Sequence, residues 1–211
     1  MGYDKELDSA LIIAILNGNE EPVQMILEVL CLAARGGNSE LFAEYTGHLH
    51  VALAGYEIFP EEFFKAVLQI LQKPAFLRLP GSWRLLAIFE PFWSTLLESQ
   101  KKELFTILEE TYAACTDWMV CFTISELLGV CFKDEQALGM LRRLAQAKSS
   151  LHRQFAPHGL EHLVMGCLDK DVSDHALREL FRMRADPSGE VTREVEIALA
   201  RLVKQGRIRN T

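Results

Sequence analysis

Apolar residues recur three or four positions apart along most of the chain. Clear examples are the stripes within residues 7–15 and 23–34, where leucine, isoleucine, valine and alanine share one face of a helical repeat. No comparable run alternates strictly between apolar and polar positions, as a half-buried strand would. The pattern predicts an all-α protein.

Turn residues and N-capping residues divide this pattern into short helices. The predicted helices cover about 4–17, 22–36, 39–54, 60–72, 82–97 with an interruption at Pro91, 99–115, 117–132, 134–148, 157–168, 173–185 and 190–205. The predicted N-caps are Ser39, Ser82, Ser99, Asp117 and Asp134. A Ser-Ser pair at 149 and 150 is interpreted as a break between helices.

The helix starts near 4, 39, 82, 117 and 157 are 35 to 43 residues apart, with a second helix inside each interval. This is the period of stacked helix pairs. It predicts an α-solenoid of about five antiparallel helix pairs in one domain, 1–211, with a possible subdivision near 149–156. The alternative is a globular multi-helix bundle with the same helix lengths.

The end of the chain resembles a HEAT-type repeat over residues 175–206, which read HALRELFRMRADPSGEVTREVEIALARLVKQG. A first helix ends near an Asp, a polar turn follows, and the second helix carries apolar residues at set positions. The matching residues are Asp186, Val191, Ala198, Leu199 and Leu202. The resemblance implies an α-solenoid that serves as a binding scaffold.

The charge balance makes nucleic acid and anionic membranes poor default partners. The 211 residues include 22 Lys and Arg against 29 Asp and Glu, which gives a net charge of -7 that repels phosphates. Residues 1–105 carry 8 basic and 14 acidic side chains, whereas residues 106–211 carry 14 and 15. The acidity therefore lies mostly in the N-terminal half, and a basic partner would suit it.

Cysteine usage and the apolar segments point to the cytoplasm. Five cysteines without a CxxC pair lie mostly within apolar runs, as buried thiols in a reducing compartment do. The N-terminus lacks the basic and apolar regions of a signal peptide. The longest apolar stretch, Trp118 to Phe132, is fifteen residues long and contains Glu126, so we expect a buried helix and not a membrane span.

One literal catalytic motif occurs, His158-x-x-Glu161-His162, which matches the H-x-x-E-H pattern of inverted zinc metallopeptidases. Two histidines one helical turn apart can share a zinc ion. Against this interpretation, Pro157 places His158 in the first turn of a short helix, and Gly159 weakens that helix. We therefore predict no catalytic residue and no cofactor, and keep His158 and His162 only as weak metal-ligand candidates.

The segment from Phe76 to Trp93 is rich in aromatic residues and is interrupted by prolines and a glycine. Its aromatic side chains either fill a widened core or form a partly exposed docking patch. Three acids lie just before it in the sequence. The partner-binding candidates are Glu57, Glu61, Glu62, Trp83 and Trp93.

The leading hypothesis is a non-enzymatic protein-binding module whose acidic surface engages a basic protein. A narrower form is an immunity or antitoxin protein that inhibits a cationic toxin. The alternative is an enzyme that resembles the HEAT-like DNA glycosylases, for which the candidate residues are Trp83, Trp93, Trp118 and Asp117. A zinc peptidase that uses the H-x-x-E-H motif stands third.

Overall fold

The computed structural model of the chain describes residues 40, 46–47, 49–50, 53–54, 56–72, 77–78 and 81–209. Every regular element in these ranges is helical, and none of these residues lies in a β-strand. The all-α prediction is therefore confirmed for this part of the chain. The predicted helices at 4–17 and 22–36, and the predicted cap Ser39, lie outside the described residues.

Eight α-helices have both ends within the described ranges, and residues 40, 46–47, 49–50, 53 and 77 are also helical. The eight are α1 Glu61–Leu71, α2 Trp83–Ala87, α3 Glu98–Thr111, α4 Trp118–Leu127, α5 Glu135–Ala145, α6 Ser150–Gly166, α7 Lys170–Met183 and α8 Gly189–Lys204. Short 3-10 helices cover Trp93–Thr95 and Tyr112–Ala114. A π-helical segment, Leu128–Phe132, continues α4 and ends at Lys133, whose φ of 53° is left-handed.

The helices predicted at 60–72, 99–115, 117–132, 134–148 and 190–205 are confirmed to within a few residues. The interruption predicted at Pro91 is confirmed, but the helix predicted on either side of it, 82–97, is wrong over most of its length, because only the short α2 and one 3-10 turn form there. Pro91 lacks the N–H that a helix needs, and it disfavours helical backbone at the residue before it. The chain therefore turns where a longer helix was expected.

Two of the predicted N-caps are confirmed. The Asp117 carboxylate accepts hydrogen bonds from the backbone N–H groups of Met119 at 2.9 Å and Val120 at 3.1 Å. The Asp134 carboxylate accepts one from Ala137 N at 2.8 Å. Each bond satisfies an N–H group that the first turn of a helix leaves without a partner.

Two other predicted caps behave differently. Ser99 is wrong as a cap because it lies inside α3, where the Gln100 side chain instead accepts from the backbone N–H of Leu97 at 3.0 Å. Ser82 does precede α2, but its hydroxyl donates to the carbonyl of Leu77 at 3.4 Å and makes no cap bond. A serine before an apolar run is therefore not sufficient to fix a helix start.

Helix α6 begins at Ser150, seven residues before the predicted start, and runs through Pro157. An interior proline removes one N–H and pushes the preceding turn apart. Ser125 of α4 bridges the opened turn, since its hydroxyl donates to Phe155 O at 2.6 Å and accepts from Gly159 N at 3.0 Å. Those two groups are i, i+4 partners in a regular helix, so a side chain from a neighbouring helix keeps α6 continuous.

Helix α7 begins at Lys170, three residues before the predicted start at 173. The Asp169 side chain is its cap and accepts from Asp171 N at 2.9 Å and from Val172 N at 3.3 Å. The polar turn therefore supplies the cap, about one helical turn before the predicted start of the helix.

The chain divides into two compact units, Met1–Val120 and Cys121–Thr211. In the first unit α1 packs against α3. In the second unit α6 packs against the π-helical segment, α5, α7 and α8, while α7 also packs against α5 and α8. The predicted subdivision near 149–156 falls inside this second unit, of which α6 is the central helix.

The four apolar residues that carry the HEAT resemblance are buried in the second unit. They are Val191, Ala198, Leu199 and Leu202. Asp186 lies in the turn before α8, where its carboxylate pairs with Arg153 of α6 at 2.7 Å. It also accepts a hydrogen bond from Ser188 N at 2.9 Å. The turn is thereby tied to the central helix.

Candidate functional site

The N-termini of α1 and α3 meet at the side chain of Gln100, which is buried. Its amide nitrogen donates to Phe59 O at 3.3 Å and to the Glu61 carboxylate at 2.9 Å, and its amide oxygen accepts from Leu97 N. A second link joins Phe59 N to Thr95 O at 2.8 Å. Because one buried side chain satisfies groups from both segments, residues 57–62 and 95–100 are held side by side.

This junction presents a surface of exposed acids and exposed apolar side chains, which we call the acidic patch. Its members are Glu57, Ile58, Glu61, Glu62, Leu97 and Glu98. Ile58 is 58% exposed and Leu97 is 46% exposed. Exposed apolar residues surrounded by charges are typical of a protein contact surface.

Two lysines neutralise the acidic patch only in part. Lys65 lies 3.3 Å from the Glu61 carboxylate and 3.7 Å from that of Glu62, and Lys101 lies 2.8 Å from that of Glu98. The hydrogen bond from Lys101 lowers the pKa of Glu98. Such exposed pairs are individually weak, so carboxylates on the patch can exchange these lysines for cations of a partner.

The two candidate tryptophans occupy different surroundings. Trp93 is half-buried, with Lys101 Nζ 5.3 Å from its ring centre, and Lys101 in turn bonds Glu98 of the acidic patch. Trp83 lies in α2, where the guanidinium of Arg84 stacks 4.6 Å from its ring centre. The described contacts therefore connect Trp93, but not Trp83, to the candidate acids.

Most of the described aromatic residues near this segment fill the core. Phe89 and Phe92 are buried, and both pack on Phe59, with ring centres 5.8 and 6.1 Å away. Phe64 packs on Phe89 at 5.9 Å. This arrangement favours the core-filling interpretation of the aromatic segment for its phenylalanines, and Phe76 lies outside the described residues.

A second candidate site lies in the other unit, around the H-x-x-E-H motif. Because α6 starts at Ser150, His158 and His162 lie within a 17-residue helix, and their ring centres are 4.6 Å apart. The Phe122 ring of α4 stacks on His158 at 4.4 Å, and Glu126 Oε1 lies 3.8 Å from His158 Nε2. We call Phe122, Glu126, His158 and His162 the histidine cluster.

The two histidines differ from exposed ones. His158 Nε2 is buried and makes no hydrogen bond within the described part of the chain, since 3.8 Å to Glu126 is too long for one. Burial, followed by the neighbouring His158, lowers the pKa of His162 to about 4. His162 is therefore neutral at pH 7. The two histidines are neither fully exposed nor helix caps, because α6 extends upstream and Phe122 of α4 covers one side.

Glu161, the carboxylate of the H-x-x-E-H motif, forms an ion pair with an arginine of α8. Its side chain is buried and pairs with Arg201 Nη1 of α8 at 3.3 Å. Burial raises its pKa, and Arg201 opposes that rise. A carboxylate held in this way is not free to activate a water, so Glu161 is not placed to act as the general base of the motif.

Two glycines explain how Glu126 and Phe122 reach the histidines. A Cβ atom on Gly159 would lie 2.6 Å from the carbonyl oxygen of Ser125, and one on Gly129 would clash with the backbone of Gly159. Only glycine permits this approach of α4 and its π-helical segment to α6. Gly159 weakens the helix in isolation, as the sequence suggested, but it is required for packing.

The remaining candidate residues are those of a metal site and of the glycosylase alternative. Within the described residues, no group of three or more His, Cys, Asp or Glu side chains is arranged to hold a metal ion. Asp117, a candidate for the glycosylase alternative, uses its carboxylate as the cap of α4, while Trp118 is 58% exposed.

No helix in the described ranges has both the length and the apolar character to cross a membrane.

Three of the four described cysteines agree with the expectation of buried thiols. Cys115, Cys121 and Cys131 are buried, and Cys167 is half-buried. The fifth, Cys31, lies outside the described residues.

The HEAT-type resemblance of residues 175–206 stays a prediction. No protein-family model, curated protein or solved structure matches the chain.

Proposed function

We propose that this chain is a non-enzymatic, helical-repeat protein-binding module that engages a basic protein through the acidic patch of its first unit. The observation that carries the proposal is the junction at Gln100. It brings two helix N-termini together and exposes four carboxylates beside two apolar side chains.

The distribution of charge supports this role. Residues 1–120 contain 8 basic and 17 acidic side chains, whereas residues 121–211 contain 14 and 12. The first unit therefore carries a charge of -9 and the second +2. A field concentrated in one unit speeds the encounter with a cationic partner and disfavours anionic ones.

The contents of the acidic patch fit a protein partner better than a simple cation. Carboxylates supply long-range attraction that salt screens, whereas Ile58 and Leu97 supply apolar area that a partner would cover. The buried Gln100 fixes the spacing of the two segments, so the surface needs little ordering on binding.

The packing of the second unit supports the helical-repeat architecture. In a stack of helix pairs, each helix contacts its sequence neighbours and the helices two positions away. Helix α6 contacts α5 and α7, and also α8 and the π-helical segment after α4. A globular multi-helix bundle is the alternative architecture and accommodates the same helices.

A narrower form of the proposal is an immunity or antitoxin protein in the cytoplasm that neutralises a cationic toxin. An acidic surface that covers the basic groove of a nucleic-acid-cleaving toxin would inhibit it by occupying its phosphate-binding residues. The glycosylase alternative needs a basic surface instead, and the second unit has an excess of only two basic side chains.

The test is affinity capture with the intact chain as bait, at low and high salt, using wild type and two charge-reversal variants. Glu61→Lys/Glu62→Lys reverses the charge of two of the four acids in the acidic patch. Glu103→Lys/Glu110→Lys makes the same change of charge at exposed positions of α3 outside it. We expect one basic protein that wild type and the control retain at low salt and the patch variant loses. Equal retention by both variants would refute the proposal.

A further inference from the structure

The spacing of the two imidazoles in the histidine cluster matches a shared metal ion. A Zn²⁺ ion lies about 2.0–2.1 Å from each ligating nitrogen, and so about 3.2 Å from the centre of that ring. If two rings bind the same ion with an N–Zn–N angle between about 90° and the tetrahedral value, their centres lie about 4.5–5.2 Å apart. The centres of His158 and His162 are 4.6 Å apart.

An unpaired nitrogen is already present at this position. His158 Nε2 is buried and makes no hydrogen bond in the described part of the chain. The ring itself is fixed by stacking on Phe122 at 4.4 Å and by the edge of His162. A buried polar atom without a partner is costly, and a bound ligand removes that cost.

The surroundings supply negative charge. Glu126 Oε1 is 3.8 Å from His158 Nε2, and the two side chains are 28% and 17% exposed. Lys133 and Arg201 lie close enough to His162 to oppose a cation. The charge of Arg201 is balanced by Glu161, with which it pairs.

We propose that His158 and His162 chelate a divalent first-row transition-metal ion such as Zn²⁺ or Cu²⁺, with Glu126 supplying the adjacent negative charge. Imidazole nitrogens suit these ions, and two side chains at i, i+4 of one helix reach the same ion. Water fills the other coordination positions, so binding is weaker than at a structural zinc site with four protein ligands. The site lies in the second unit and does not depend on the proposed partner of the acidic patch.

The experiment is calorimetric titration of metal-free intact protein with Zn²⁺ at neutral pH. We expect one ion per chain. His158→Gln and His162→Gln should each weaken binding at least tenfold, and Glu126→Gln should weaken it by a smaller factor. His175→Gln in α7 is the matched control and should bind as wild type. Mg²⁺, which prefers oxygen ligands, should give no binding heat.

Thiols also bind zinc, so the site must be distinguished from Cys167, which is half-buried. Cys167→Ser should retain full zinc binding. Loss of binding in Cys167→Ser, no binding up to about 1 mM Zn²⁺, or unchanged binding when both histidines are replaced would each overturn the proposal.

A measurement on wild type removes any dependence on how the variants fold. In ¹⁵N-labelled protein, Zn²⁺ should shift the ring-nitrogen resonances of His158 and His162 and leave those of His175 in place. Shifts confined to other histidines would also overturn the proposal.

Discussion

The acidic patch and the histidine cluster are built in opposite ways. The patch has four exposed carboxylates, and those of Glu61, Glu62 and Glu98 lie in first helical turns, where water and the helix dipole stabilise the charge. In the cluster, close helix packing has partly removed the His162 imidazole from water and has buried His158 Nε2. Surface charge can therefore be predicted from the sequence. A site that is removed from water is harder to predict, because it depends on which helices approach each other.

The largest effect should come from separating α4 and α6. Gly159→Ala places a Cβ atom 2.5 Å from Leu141 Cδ2 and 2.6 Å from Ser125 O, so helices must move apart. We expect a loss of about 2–4 kcal/mol in the free energy of unfolding, measured by urea denaturation.

The control for this change is Gly139→Ala in α5, where an added Cβ meets only Arg143 Nη1 at 3.9 Å. Because alanine favours a helix more than glycine does, this variant should gain up to about 1 kcal/mol. Equal losses of unfolding free energy in the two variants would show that the packing of α4 on α6 at the histidine cluster does not require glycine at position 159.

The next effect concerns the buried carboxylate beside the cluster. Arg201→Met leaves Glu161 without its partner, and we expect a loss of about 1–3 kcal/mol in the free energy of unfolding. Arg193→Met breaks only the exposed pair with Glu194 and should cost less than about 0.5 kcal/mol. A cost for Arg201→Met as small as that of the control would show that Glu161 is not held as described.

In the first unit, Gln100→Ala removes the side chain that joins the two N-termini of the acidic patch. Leu97 N and Phe59 O then lose a partner, and we expect a loss of about 1–2 kcal/mol. Thr106→Ala, which removes an exposed bond within α3, is the control and should have little effect. An unchanged denaturation midpoint for Gln100→Ala would show that this side chain does not hold the two segments of the acidic patch together.

The last effect is a pH dependence of stability to which the partly buried His162 of the histidine cluster contributes. The pKa of His162 is about 4 in the folded protein against 6.5 for an ordinary histidine. The unfolded chain therefore binds more protons between these values, and stability falls as the pH drops from about 6.5 to about 4. Glu161, whose pKa is raised, acts with the opposite sign above its ordinary value of 4.5.

Comparing variants isolates the contribution of His162. In the presence of a metal chelator, His162→Gln should show a shallower loss of stability over this pH range than wild type, whereas His175→Gln should follow wild type. Parallel curves for wild type and His162→Gln would contradict the burial of this imidazole.

The sequence predicted much of the fold because caps and apolar spacing act locally. Asp117 and Asp134 cap the helices that they were predicted to cap, and five helices have nearly the predicted bounds. The start of α6 was not predicted, because Pro157 was expected to begin a helix, whereas it lies inside α6 beside a turn that the hydroxyl of Ser125 contacts, 30 residues from Phe155 in the chain. Distant partners of this kind leave no local pattern.

The same division holds for the candidate sites. The acids of the patch follow from charge alone, but their connection through Gln100 spans 39 residues to Glu61 and has no signal in the sequence. Glu126 was visible as the single charge in an apolar stretch. Its proximity to His158 depends on Gly129 and Gly159, whose spacing in the chain does not indicate contact.

The most direct test of the central claim is hydrogen–deuterium exchange of the intact chain with and without the basic protein that it captures. Our account predicts slower exchange in the first turns of α1 and α3, including residues 61–64 and 98–101, and no change in Glu61→Lys/Glu62→Lys. Protection confined to α6 and α8, or none at the acidic patch, would contradict it.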